Sequence, residues 1–165
     1  MTLSATEADL VTPELMRAVM GHFPTGVTIV TAVEDGLPVG FTCQSFFSLS
    51  LDPPLIALAP AKTSTSWPKI AKAGTFCVNI LSTDQRGLCE TFAASGGDKF
   101  VGVRWTPTRG GSPRIEGCLA WIECDLELTH DAGDHELVLG RVRSLGHREG
   151  SPLLYFRSGF MTTNR

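Results

Sequence analysis

The sequence predicts a single mainly-β domain with a few helices, arranged as a Greek-key-like barrel. Many short β-rich segments are separated by turn residues, and only a few segments have a helical pattern. The length of 165 residues fits one domain, because domains of roughly 100–200 residues are usual. No GxGxxG motif follows the first predicted strand, which argues against a doubly wound nucleotide-binding fold.

The first predicted elements are a tail and a helix. Residues 1–11 are expected to form a flexible tail, and the domain is expected to span residues 12–165. A helix is predicted over Thr12–Gly21, because its threonine can cap the helix, proline suits the first turn and glycine can close it.

Apolar and β-branched runs bounded by turn residues predict the strands. They lie at Val27–Val33, Pro38–Cys43, Ser45–Leu51, Leu55–Ala59, Phe76–Leu81, Cys118–Thr129, Glu136–Leu145 and Leu153–Phe156. Turns are predicted at residues 34–36, at Pro53-Pro54 and at His130–Asp134, and loops at Ala94–Gly97 and Gly110–Pro113.

Two more helices are predicted from capping signals. Ser66 precedes Trp67-Pro68 and is expected to cap a helix that runs to Lys72 and ends at Gly74. Ser82 or Thr83 is expected to cap a helix that runs to Phe92.

The composition excludes several classes of protein. The net charge is −3 and the basic residues are dispersed, whereas nucleic-acid binding needs a clustered basic face. No apolar run reaches the length of about 18 residues that a membrane span needs. The N-terminus does not have the pattern of a signal peptide, so we expect a cytoplasmic protein.

The cysteines and histidines do not have the spacing of a metal site. The five cysteines are odd in number and lack CxxC spacing, and the four histidines lack HxxxH spacing. Free thiols in a reducing compartment are therefore expected rather than metal ligands or disulfides.

The stretch from Gly40 to Trp67 is the first candidate site. Polar side chains near a predicted strand end are followed by a lysine and three hydroxyls before a predicted helix. These residues are Thr42, Gln44 and Ser45, then Lys62, Ser64, Thr65 and Ser66. A helix N-terminus with hydroxyls and a lysine favours a phosphate, although helix caps and a solvated lysine would give the same pattern.

Two further segments are candidates for contacts with a flat ligand. His135 follows a Gly133-Asp134 turn, from which its imidazole could donate a hydrogen bond or stack on a ring. A turn histidine bonded to Asp134 is the alternative. The segment Phe92–Trp105, which contains Asp98-Lys99-Phe100, could form a flap over a ligand or an ordinary surface loop.

Motifs for acid–base or nucleophilic catalysis are missing. The sequence has no GxSxG, HExxH or P-loop motif and no paired-carboxylate pattern. Cys43 and His135 could form a nucleophilic pair by residue type, but Cys43 lies in a predicted strand without a flanking base. A protein that supplies binding and orientation usually leaves the chemistry to a cofactor.

A series of short motifs across residues 16–160 resembles one family in order and spacing. The motifs are Phe23–Thr28, Gly40–Thr42, Ser45-Phe46, Ser48–Pro54, Phe76–Leu81, Asp98–Phe100, Gly133–His135 and Pro152–Tyr155. Together they resemble the FMN-binding split-barrel proteins of the flavin reductase type. These include the short-chain reductase components of two-component flavin monooxygenases.

The resemblance implies a split β-barrel that works as a homodimer, with flavin at the subunit interface. Two nicotinamide-binding residues are implied, His135 and Tyr155. The implied flavin-binding residues are Thr42, Cys43, Gln44, Ser45, Ala59, Lys62, Ser64, Thr65, Ser66 and Phe100. Cys43-Gln44 departs from the Ala-Asn that many relatives carry, and Ala59-Pro60-Ala61 lacks side-chain donors, so backbone groups would have to serve there.

The resemblance also implies a reaction. Hydride passes from NADH or NADPH to FMN or FAD without an acid–base residue, and the reduced flavin diffuses to a separate monooxygenase component. Two alternatives stay open: a flavoprotein that retains FMN and reduces another acceptor, and a flavin-binding protein without activity.

Overall fold

The computed structural model describes residues 11–162, which form three α-helices and twelve β-strands. The helices are α1 (Pro13–Met20), α2 (Trp67–Ala73) and α3 (Arg86–Ala93), with a 3-10 turn at Thr83–Gln85 before α3. The strands are β1 (Thr25–Gly26), β2 (Thr28–Glu34), β3 (Leu37–Cys43), β4 (Phe46–Leu51), β5 (Pro54–Leu58), β6 (Thr75–Ile80), β7 (Trp105–Pro107), β8 (Pro113–Ile115), β9 (Ala120–Ala132), β10 (His135–His147), β11 (Leu154–Phe156) and β12 (Gly159–Met161).

Seven strands form one antiparallel sheet in the order β3-β2-β6-β9-β10-β5-β4. The two edge strands, β3 and β4, are joined in sequence by Gln44 and Ser45 alone. The edges of the sheet must therefore approach each other, so the sheet curves into a barrel with an open seam between β3 and β4. This confirms the predicted mainly-β class, and the seam is the split of the barrel.

Helix α2 contributes to the core inside the barrel. Its Trp67 and Ile70 are buried with Val30 of β2, Phe76 of β6 and Val138 of β10. The indole of Trp67 lies edge-on to Phe76 with ring centroids 6.4 Å apart, a favourable aromatic geometry. The chain before α2 is therefore held at one end of the barrel.

Helix α3 packs on the outside of the sheet over a second core. Ile29 alternates with Val30 along β2 and faces this outer core, where it is buried with Phe92 of α3 and Leu153. Gly40 of β3 permits the close approach of the helix, because a Cβ there would lie 2.8 Å from Cε1 of Phe92. The C-terminal end of α3 is thereby brought to the edge strand.

Most predicted elements are present, but three local predictions are wholly or partly wrong. Ser66 precedes α2, yet its hydroxyl does not cap the helix; Oγ of Ser64 accepts the hydrogen bond from N of Trp67 at 3.1 Å. The predicted turn at His130–Asp134 is shorter, because β9 continues to Ala132 and pairs there with His135. Gly133, at φ 73°, supplies the left-handed conformation that a tight hairpin turn requires.

The predicted loop at Gly110–Pro113 is also partly wrong, because Pro113 begins β8, which pairs with β7. Helix α1 is as predicted: Oγ1 of Thr12 accepts from N of Leu15 at 3.2 Å, and Gly21 follows the last turn. The predicted flexible tail lies almost wholly outside the described residues and stays a prediction.

Candidate functional site

A cleft of about 400 Å³ lies at the seam between β3 and β4. Its walls are the end of β3 and the link to β4, the chain after β5, the segment before α2, the end of α3, and His135. Nine of the predicted site residues meet in its lining: Thr42, Cys43, Gln44, Ser45, Ala59, Ser64, Thr65, Ser66 and His135. The cleft therefore joins segments that are far apart in the sequence.

The link between β3 and β4 presents one unpaired side chain. The hydroxyl of Thr42 donates to the carbonyl of Cys89 at 2.7 Å, and that of Ser45 donates to the carbonyl of Ala59 at 2.8 Å. Gln44 is exposed, and its amide makes no hydrogen bond with the described residues 11–162. Thr42 and Ser45 therefore shape this wall, and Gln44 is available to a ligand.

Cys43 and His135 do not form a nucleophilic pair. Burial raises the pKa of the Cys43 thiol, and its sulfur lies 3.4 Å from the hydroxyl of Ser45. Nδ1 of His135 is instead 2.7 Å from a carboxylate oxygen of Asp134. A neutral, buried thiol is a poor nucleophile, in agreement with the interpretation of the sequence.

All five cysteines are free and buried. Burial raises the pKa of Cys118 and of Cys124 to about 12, and it also raises the pKa of Cys77 and Cys89. At neutral pH these thiols are protonated.

Hydroxyl side chains line the part of the cleft that is formed by the segment before α2. Thr63, Ser64, Thr65 and Ser66 follow one another here, and Ser64 also caps α2. Hydroxyl groups can both donate to and accept from a bound anion. This part of the cleft is suited to a phosphate.

Lys62 does not line the cleft. Its Nζ lies 2.6 Å from Oδ2 of Asp131 on the β9–β10 hairpin, and this hydrogen bond lowers the pKa of the Asp131 carboxyl. The backbone N–H of Lys62 donates to the carbonyl of Asp134 at 2.9 Å. Both contacts tie the segment before α2 to the hairpin that carries His135.

His135 stands at the first position of β10, in the wall of the cleft. Its backbone forms a bridge with Ala61, and N of Glu136 donates to the carbonyl of Pro60 at 3.0 Å. The imidazole also holds the pKa of Asp134 below its usual range. Since Nδ1 is bonded to Asp134, Nε2 is the ring nitrogen available to a ligand.

Phe100 and Tyr155 lie outside this cleft. Phe100 is only 8% exposed and packs edge-on against Phe92, with ring centroids 5.0 Å apart. Tyr155 of β11 packs against Phe160 at 5.3 Å. Both aromatic residues pack in the outer core, and Phe100 also lines a groove next to the cleft, so their predicted contacts with flavin and nicotinamide stay predictions.

Lys99 also lines the cleft, although the sequence does not predict it there. Its Nζ donates to the carbonyl of Phe92 at 3.0 Å and approaches that of Gly40 at 3.4 Å, and burial lowers its pKa. It also lines an adjoining groove of about 880 Å³. The motif Asp98-Lys99-Phe100 was visible in the sequence, but nothing local indicated which side chain reaches the cleft.

No cluster of candidate metal ligands occurs among residues 11–162. In the same part of the chain, no helix has the length and apolar character to cross a membrane. The cleft offers hydroxyls, an amide, an imidazole and an ammonium group around one space. Such an arrangement can bind and orient a ligand, and it contains no paired acid and base.

Comparison with known proteins gives a consistent result. The flavin reductase like domain family matches residues 20–164. The chain is 51% identical over 150 residues to a flavin reductase of Pseudomonas putida, covering 90% of this chain and 88% of the relative. It is 49% identical over 157 residues to the reductase subunit HsaB of a flavin-dependent monooxygenase from Rhodococcus jostii, covering 94% of this chain and 80% of the relative.

A relative from Agrobacterium fabrum, the FMN reductase (NADH) SmoA, is 42% identical over 144 residues, covering 87% of this chain and 82% of the relative. Among solved structures, a nitrilotriacetate monooxygenase component B homologue from Mycobacterium thermoresistibile superposes with a TM-score of 0.90 at 45% identity, covering 97% of this chain and 89% of the other. The oxidoreductase SgcE6 of Streptomyces globisporus, in complex with NAD and FAD fragments, superposes with a TM-score of 0.87 at 33% identity, covering 94% of this chain and 97% of the other.

Proposed function

The chain belongs to the flavin reductase like domain family and is an NAD(P)H-dependent flavin reductase of the two-component monooxygenase type, and we propose that its flavin binds in the cleft at the β3–β4 seam. One observation supports this position above the others. A single cleft joins an unpaired amide at Gln44, a run of four hydroxyls at 63–66 and the imidazole of His135.

The residues present fit a flavin mononucleotide half. The hydroxyls at 63–66 suit its phosphate, and the link from Thr42 to Ser45 suits the edge of its ring. Ala59-Pro60-Ala61 offers only backbone groups, as expected from the sequence. Lys99 is the lysine that faces this space, whereas Lys62 is paired with Asp131.

The mechanism assigned to these residues is one of positioning. The bound flavin supplies a hydride acceptor and the dihydronicotinamide supplies the hydride. His135 is proposed to hold the nicotinamide through Nε2, while Asp134 fixes the orientation of the imidazole. Holding two planar reactants in a reactive arrangement lowers the barrier without a proton donor, which agrees with the absence of an acid–base pair in the cleft lining.

We also propose that two copies associate. All residues of α1 are exposed or nearly so, and Leu15, Met16, Val19 and Met20 are each 50–59% exposed. Phe47 of β4 is 51% exposed. Large exposed apolar side chains of this kind mark interaction sites, and a second copy that covers β4 would lie beside the seam and its cleft. Sedimentation equilibrium at several concentrations tests this; a monomer at every concentration contradicts it.

The cellular setting is proposed to be the cytoplasm, because five free, buried thiols fit a reducing compartment. Reduced flavin formed there would pass to a separate oxygenase component. A relative from Rhodococcus jostii carries the name of such a reductase subunit, which supports this partner.

An activity measurement tests the function. Purified protein is mixed with NADH or NADPH and with FMN or FAD, and nicotinamide absorbance is followed. Consumption that scales with added flavin supports a diffusing flavin; consumption without added flavin supports a retained one. No consumption with any combination contradicts a reductase.

The role of His135 has its own test. His135→Ala is expected to raise the KM for NADH or NADPH while the Kd for flavin stays unchanged, because the proposed contact of His135 is with the nicotinamide ring alone. His147→Ala is the matched control, since His147 is exposed and lies outside the cleft. An equal loss of flavin affinity in His135→Ala would refute the assignment.

A further inference from the structure

His135 is carried by the outer part of the β9–β10 hairpin, residues 127–137, and we refer to this part as the arm. Strand β6 pairs with β9 only up to Asp125, and β5 pairs with β10 only from Val138 onward. Within the described residues 11–162, the two strands of the arm next to His135 therefore pair with each other and have no further strand beside them. Because an isolated two-stranded hairpin is only marginally stable, the position of His135 depends on the other contacts that hold the arm.

The chain before α2 holds the β10 side of the arm through its backbone. Ala61 forms a bridge with His135, and N of Lys62 donates to the carbonyl of Asp134 at 2.9 Å. Both contacts lie along one edge of the arm. They fix the position of that edge, but a hairpin that is held along one edge can still rotate about it.

The side chain of Lys62 extends to the other strand of the arm. Its Nζ lies 2.6 Å from Oδ2 of Asp131 on β9. In the part of the chain that the structure describes, no other residue outside the hairpin forms a hydrogen bond with residues 130–132. Lys62 therefore holds the arm at a second line of contact, and this contact opposes its rotation.

We propose that Lys62 is a positioning residue for His135: its ion pair with Asp131 fixes the arm, and the arm directs the imidazole towards the nicotinamide. This rests on the proposed function, in which Nε2 of His135 contacts the nicotinamide. Asp134 orients the imidazole on the arm, whereas Lys62 orients the arm on the cleft. Since hydride transfer depends on the arrangement of two planar rings, a displaced imidazole should weaken the binding of the nicotinamide in that arrangement.

A direct contact of Lys62 with the anionic dinucleotide is the competing explanation, and the two explanations differ in sign at Asp131. If Lys62 attracted the dinucleotide directly, Asp131→Asn would free the ammonium group and lower the KM for NADH. If the ion pair positions the arm, Asp131→Asn must raise this KM, as Lys62→Met does. The distances favour the second explanation, because Nζ of Lys62 is bonded to Asp131 and Lys62 does not line the cleft.

The first test measures the KM for NADH at a saturating concentration of FMN. Lys62→Met and Asp131→Asn should each raise it about two- to fivefold, the range expected for the loss of an ion pair whose side chains are 39% and 79% exposed. The kcat should change by less, and the Kd for flavin should stay at the wild-type value. The double variant should have the KM of either single variant, because each substitution removes the same pair.

Two variants control for a general loss of charge or stability. Lys62→Arg keeps the ion pair and should retain the wild-type KM. Lys72→Met removes a lysine that is paired with Glu34 outside the cleft, and it should leave the KM unchanged. A KM that rises as much in Lys72→Met as in Lys62→Met would overturn the assignment, since both variants lose one positive charge.

Action through His135 is tested in the His135→Ala background, where Lys62→Met should cause no further rise in the KM for NADH. An equal rise in that background, or a lower KM in Asp131→Asn, overturns the inference. An unchanged KM in Lys62→Met and Asp131→Asn also overturns it and leaves flavin reduction intact. Absence of nicotinamide oxidation with either flavin contradicts the proposed function itself.

Discussion

The close packing of Gly40 against α3 predicts that two glycine-to-alanine substitutions, one at Gly40 and one in α3, change the stability of the protein in opposite directions. A Cβ at Gly40 would lie 2.8 Å from Cε1 of Phe92 and 3.0 Å from the backbone oxygen of Val30. Phe92 is fully buried and the second neighbour is backbone, so neither can move cheaply. We expect Gly40→Ala to lower the free energy of unfolding by about 1–3 kcal/mol, the usual range for overpacking.

Gly87 in α3 supplies the control. A Cβ at that position meets no atom within 4 Å. Because glycine in a helix is less favourable than alanine, Gly87→Ala should raise the free energy of unfolding by about 0.5–1 kcal/mol.

The assay is urea unfolding with linear extrapolation, in which both variants should keep the wild-type m value. Flavin affinity provides a second readout, because Phe92 and Lys99 line the cleft and Nζ of Lys99 approaches the carbonyl of Gly40. Gly40→Ala should therefore also weaken flavin binding, whereas Gly87→Ala should not. A Gly40→Ala protein as stable as wild type would refute the packing argument.

Three other predictions follow from single contacts. Asn79→Ala should lower the free energy of unfolding in urea by about 2–4 kcal/mol. The fully buried amide donates to Oγ1 of Thr31 and accepts from N of Ile115 at 2.8 Å, and the substitution would leave that N–H unpaired. A decrease below about 1 kcal/mol would contradict these bonds. Lys62→Ala should leave the flavin Kd unchanged, because its ammonium is paired with Asp131, and a marked weakening would return it to the phosphate site. Since burial lowers the pKa of Lys99, its charge is lost at a lower pH than is usual for lysine; flavin affinity should fall as the pH rises through that interval in wild type and stay flat in Lys99→Met.

The sequence predicts those features that depend on neighbouring residues. Helix α1 has a threonine, a proline and a glycine at the positions that start and end a helix, and the structure has the helix there. Strands β9 and β10 have apolar and polar residues that alternate over long runs, and this local pattern predicts both strands. Strands β7 and β8 have three residues each and both contain a proline, so no β-rich run marks them in the sequence.

Contacts between distant residues account for what the sequence could not predict. The position of Lys62 beside the hydroxyls predicts a phosphate contact, whereas in the structure its ammonium is bonded to Asp131, 69 residues away, a pairing that no local pattern indicates. Lys99 reaches the cleft only because α3 packs against β3 at Gly40. The grouping of Thr42–Ser45 with His135 depends on closure of the barrel, which no local pattern encodes.

The state of the cysteines has a consequence for a protein that makes reduced flavin. Reduced flavin that reacts with oxygen before it reaches an oxygenase yields hydrogen peroxide, and peroxide attacks thiolates rather than thiols. All five sulfur atoms are buried, and burial keeps them protonated at neutral pH. The fold therefore protects its own side chains from a by-product that forms beside them.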